Sequence, residues 1–197
     1  MSSRRSLTLL ALALVSGGCA HPKPAPSQQL GGQRVVSSPS GIAFVSSDRD
    51  VSGLSGEIRF GGPQGRSALY LKFPTDWRSL GTPRQAFLSL SPREGSAVSD
   101  SPLTLEAWRV SADWQPHQLR RWSEKPSLAP PYARTTVTSS PARELRLDVT
   151  ELIRFAAENP ERDYGIAVIA SGSDGPGATF SSGFAGGSSP RLELYLR

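Results

Sequence analysis

Apolar and polar residues alternate in short runs from residue 41 to the end of the chain. In Ser67–Phe73, Leu69, Leu71 and Phe73 fall on one side and Tyr70 and Lys72 on the other. Ala86, Leu88 and Leu90 repeat the pattern. In Arg143–Val149, Leu145, Leu147 and Val149 alternate strictly with Glu144, Arg146 and Asp148. A period of two marks a strand with one face buried. Ile42–Val45, Ile58–Phe60, Leu103–Val110, Ala178–Ser182 and Arg191–Leu196 read as further strands. Tyr164–Ala170 is apolar on both faces and predicts a central strand.

This pattern predicts eight or nine strands, separated by turn clusters such as Gly61-Gly62-Pro63 and Ser171–Gly177. Many short strands without intervening helices predict an all-β protein, an antiparallel sandwich or barrel. The spacing predicts one short helix near 149–158. Asp148 or Thr150 is placed to cap it, Glu151 to close a capping box, Leu152, Ile153, Ala156 and Ala157 to form its apolar face, and Pro160 to end it.

The pattern differs before residue 41. Arg4 and Arg5 precede an apolar run, Leu7–Val15, which is too short to span a bilayer and has the form of a secretory signal peptide. The run ends at Ser16-Gly17-Gly18-Cys19. Cys19 is the only cysteine in the chain. Its position resembles that in a bacterial lipobox, in which cleavage makes the cysteine the acylated N-terminal residue; the alternative is ordinary signal cleavage after Ala20 and export as a soluble protein. Residues 1–18 are therefore expected to be a lipoprotein signal peptide and residues 19–40 a Pro/Ser-rich tether, leaving 41–197 as the folded domain. Acyl chains on Cys19 would hold the protein to a membrane, each buried CH₂ contributing about 0.8 kcal/mol. By that resemblance, Ala20 after the cysteine, where an Asp would signal inner-membrane retention, implies the outer membrane.

Composition narrows the chemistry. A third of the 197 residues are Gly, Pro or Ser, which argues against long helices. One cysteine and two histidines, His21 and His117, exclude a disulfide within the chain, a cysteine-based zinc site and a histidine-rich metal centre. The net charge of +5 is spread without long basic runs, so a nucleic-acid partner is not expected.

Several segments in order resemble one family. They are Arg66–Phe73, Gln85–Leu90, Ala112-Asp113-Trp114-Gln115, Trp122 with Pro126, Leu147-Asp148-Val149-Thr150, Asp163-Tyr164-Gly165-Ile166, Phe180-Ser181-Ser182 and Ser189-Pro190-Arg191-Leu192. Together they resemble the DNRLRE-domain family, which is related to a carbohydrate-binding module family of secreted polysaccharide-active proteins. The resemblance spans about residues 41–197. It implies a jelly-roll-like antiparallel β-sandwich that is extracellular and non-catalytic. A structural calcium near the opening strand would fall to Asp48 and Asp50, two carboxylates against the six to eight oxygens calcium takes. No other cofactor is implied.

Sugar binding on a sandwich needs an exposed aromatic ring to cover the apolar face of a pyranose. The candidates are Trp77, Trp108, Trp114 and Trp122, with Arg109 beside Trp108 as a partner for an acidic sugar. Trp77, after Pro74-Thr75-Asp76, is expected to be exposed. Trp114 and Trp122 bracket the long loop Ser111–Pro141 and are expected to pin it. His117, with Asp113 four residues away, would be the base of any hydrolase, but it stands in no recognisable motif. The expected function is a non-catalytic surface lipoprotein contacting polysaccharide of the envelope or its surroundings. The alternative is a structural or adhesion protein that binds another protein, and a polysaccharide-active hydrolase stands third.

Overall fold

The alternating runs pair into two main sheets. The computed structural model describes residues 33–47, 56–61, 66–74, 76–93, 103–137, 144–171, 177–183 and 188–196. Cys19, Asp48, Asp50, the signal segment and most of the tether lie outside these residues. The strands are β1 (Arg34–Ser37), β2 (Gly41–Ser46), β3 (Glu57–Phe60), β4 (Ser67–Lys72), β5 (Gln85–Leu90) and β6 (Leu103–Val110). They continue with β7 (Leu128–Val137), β8 (Leu145–Asp148), β9 (Ile166–Ser171), β10 (Ala178–Ser181) and β11 (Arg191–Tyr195). The helices are α1 (Trp77–Leu80) and α2 (Thr150–Glu158). One sheet has the order β2-β4-β9-β6-β7, a second β1-β11-β5-β8, and a ribbon joins β10 to β3. The fold is an all-β sandwich of antiparallel sheets, as the alternation predicts. The apolar strand β9 lies centrally, between β4 and β6.

The core fills the space between the sheets. Leu69, Leu71, Leu105, Ala107 and Val168 meet Leu88, Leu90, Leu147, Leu192 and Leu194. Each fully buried leucine contributes about 1.5–3 kcal/mol. The β3–β10 ribbon adds Phe60 and Phe180, whose rings meet edge-on at 5.9 Å. Leu152, Ile153 and Ala156 of α2 close the core.

Glycine is required at one sheet end. Gly165 has φ +93° just before β9, and a Cβ there would stand 2.2 Å from the carbonyl oxygen of Leu71. Only glycine avoids both penalties.

The structure departs from the alternation pattern in four places. Arg34–Ser37, assigned by sequence to the tether, is strand β1 and pairs with β11. The expected loop Ser111–Pro141 contains β7, which pairs with β6 along its length. Pro130 and Pro131 make β7 look unlike a strand, but β7 is the last strand of its sheet, where a missing N–H is tolerated. The strands among the described residues thus number eleven, against the eight or nine expected. Trp77 starts the one-turn helix α1 and is buried, because α1 folds back against α2. At the start of α2, Asp148 accepts the N–H of Thr150 at 3.0 Å, but Glu151 closes no capping box and pairs with Arg154 at 2.7 Å.

Candidate functional site

The outer face of the five-stranded sheet is divided in two. On strands β2, β4 and β9 it carries Ala43, Val45, Ala68, Tyr70 and Ala167, all buried. Segment 111–127 covers this half, with single-turn 3-10 helices at Pro116–Gln118 and Trp122–Glu124. Trp114 anchors the segment. It is 3% exposed, its ring meets Tyr70 edge-on at 5.8 Å, and its Nε1 donates to the Tyr164 carbonyl at 2.7 Å. Lys72 Nζ donates to the Trp114 carbonyl at 2.6 Å and to Asp113 Oδ1 at 2.7 Å. Trp122, half-buried, packs against the same cluster with Lys125 over its ring. Trp114 and Trp122 therefore pin the segment, as expected. Burial pushes the Tyr70 hydroxyl up to about 12, and this hydroxyl has no hydrogen-bond partner among the described residues.

The other half of the face, on β6 and β7, is left open by the described residues. Residues on one face of a strand recur every second position, and the register brings Thr104, Glu106 and Trp108 opposite Thr136, Arg134 and Tyr132. The rings of Trp108 and Tyr132 are stacked with centroids 4.2 Å apart and planes 13° from parallel. Tyr132 is 49% exposed. Trp108 Nε1 donates to Glu106 Oε2 at 2.9 Å, and Arg134 Nε donates to Glu106 Oε1 at 2.9 Å. Glu106 is itself buried, so one carboxylate fixes both the indole and the guanidinium beside it. The result is a rigid aromatic platform with a charged rim. Sequence reasoning singled out Trp108 but missed Tyr132, which lay in the supposed loop.

Arg109 does not share this face. Neighbouring strand residues point to opposite sides, and Arg109 stacks over Phe155 of α2 at 4.3 Å while its Nε donates to the Pro130 carbonyl at 2.9 Å. Burial, with help from Arg162, lowers its pKa from the usual guanidinium value. The Trp108–Arg109 surface expected for an acidic sugar is therefore not formed. Trp77 also faces away from it, its Nε1 donating to Asp163 Oδ2 at 2.6 Å.

A cavity of about 410 Å³ adjoins the platform and shares Tyr132 with it. Its polar lining comes from Arg84, Gln85, Asp148, Glu151 and Arg154. On the opposite sheet, Glu193 of β11 is buried and held by three arginines. Arg146 is 3.0 Å away, Arg34 3.2 Å and Arg191 3.3 Å. Burial pushes its carboxyl up, but Arg146, Arg191 and Arg34 outweigh this and hold it below the usual range.

His117 is exposed, and Asp113 is engaged by Lys72 and by the Trp114 N–H at 2.8 Å. No group of three or more His, Cys, Asp or Glu residues suited to a metal occurs among the described residues. No known family model matches the chain, and a search of curated proteins returns no match.

Proposed function

We propose that this chain is an exported, lipid-anchored, non-catalytic protein that holds polysaccharide of the cell envelope or its surroundings against the Trp108–Tyr132 platform. The observation carrying this reading is the stacked pair on an open sheet face. A large ring held rigid and half in water offers a sugar an apolar surface at little entropic cost. Arg134 beside it, exposed and oriented by the buried Glu106, supplies a charged donor for hydroxyls. The resemblance to DNRLRE domains, and through them to a carbohydrate-binding module family, points the same way. Cys19 is the proposed anchor, and the residues that follow it are the proposed tether.

A glycan array with the wild-type chain, Trp108→Ala and Tyr132→Ala tests the platform. Binding that both variants lose supports it. A folded chain that binds no glycan, but cross-links to one envelope protein in intact cells, would replace this reading with an adhesion role. Anchoring is tested separately, by fatty-acid labelling and membrane fractionation of Cys19→Ala.

A further inference from the structure

We propose that the cavity beside Tyr132 is a second subsite, which takes the uncharged terminal sugar unit of a glycan chain lying on the platform. This rests on the platform reading above. At about 410 Å³ the cavity lies toward the small end of small-ligand sites, which run from about 300 to 1,000 Å³.

The wall of the cavity sets the direction. Beyond the edge of β7 the next element is α2, whose Glu151 and Leu152 share the lining with Tyr132 and Ala133. The helix is fixed there by Arg109, which bonds Pro130 of β7 and stacks on Phe155 of α2. A chain crossing Trp108 and Tyr132 toward that edge meets the helix and ends.

The open groups set the chemistry. The Arg84 guanidinium and the Gln85 amide have no hydrogen-bond partner among the described residues. Asp148 uses Oδ1 on Thr150, and its second oxygen has no hydrogen-bond partner among the described residues. Arg154 is already spent on Glu151 and on the Arg84 and Pro83 carbonyls, so it is wall and not reader. Donors and acceptors thus converge, as vicinal hydroxyls require, because each hydroxyl both gives and accepts. Two arginines offset two carboxylates, so the cavity favours an uncharged unit over an ionic one.

The test uses the exported chain with dextran and xylan as neutral polymers and polygalacturonate as a charged one. Each is offered at equal mass, intact and after partial hydrolysis that raises the number of chain ends about tenfold. The proposal expects half-saturation with a neutral polymer at about tenfold lower mass concentration after hydrolysis. It also expects Arg84→Ala with Gln85→Ala to erase that gain while Trp108-dependent binding of the intact polymer persists. Trp108-dependent binding that ignores chain ends and the double variant would overturn the subsite and leave the platform standing. A hydrolysis gain seen only with polygalacturonate would overturn the uncharged class. Absence of binding to all three polymers and to every glycan of the array by a folded chain would overturn the platform, and this inference with it.

Discussion

Trp108 of β6 and Tyr132 of β7 stand directly opposite each other in register, and their rings stack 4.2 Å apart on the open half of a sheet whose other half is buried. The contrast within one face is the basis of the functional reading. Where segment 111–127 lies over the sheet, aromatic rings are packing material. Where it does not, the two rings are presented to solvent.

Trp114 and Trp122 should therefore differ in what they hold. Trp114 is almost fully buried with its N–H satisfied, so Trp114→Ala should cost about 3–5 kcal/mol in denaturant unfolding. Trp122 is half-buried, and Trp122→Ala should cost about 1 kcal/mol and leave glycan binding unchanged. Equal losses for the two variants would contradict the pinning role of Trp114.

Tyr70 makes a prediction at high pH. Its hydroxyl is pushed up to about 12 from an ordinary value of 10. The unfolded chain therefore loses that proton first, and stability should be intact below about pH 10 and fall as pH rises toward 12. Ultraviolet titration should show one tyrosinate appearing late. Tyr70→Phe should abolish the late step. Because the hydroxyl is buried without a partner among the described residues, this variant should be as stable as wild type or up to about 1 kcal/mol more so. A loss above about 1 kcal/mol would show that the hydroxyl is satisfied.

Glu193 predicts the opposite slope at low pH. Its carboxyl is held below the ordinary value of 4.5, so it favours the fold above that value. The contribution should be lost as pH falls from about 4.5 through the lower folded value. Glu193→Gln should flatten this acid limb and cost about 2 kcal/mol at neutral pH, a magnitude tempered by the partial exposure of all three arginines. An unchanged acid limb in Glu193→Gln would exclude Glu193 as its origin.

How far the sequence could reveal this depended on how local each signal is. Alternation in β4, β5, β8 and β11 is carried by residues two apart, and it identified those strands and the sandwich class. Arg34–Ser37 has only Val35 and Val36 to mark it, and its partner, β11, lies near the far end of the chain. Pro130 and Pro131 disguised β7, and with it Tyr132. Trp77 looked exposed because Pro74-Thr75-Asp76 reads as a loop, whereas it is buried by α1 packing against α2, far along the chain. Trp108 could be named from sequence, but which face it occupies, and with which partner, is a fact of register. Arg109 was grouped with Trp108 by adjacency, which in a strand means opposite faces.

The most direct measurement is calorimetric titration of one array-selected glycan into wild-type, Tyr132→Ala, Trp108→Ala and Trp122→Ala chains with matched circular dichroism spectra. The account predicts at least a tenfold loss of affinity, about 1.4 kcal/mol, for each platform variant, and wild-type affinity for Trp122→Ala. Wild-type affinity in Tyr132→Ala and Trp108→Ala would contradict it.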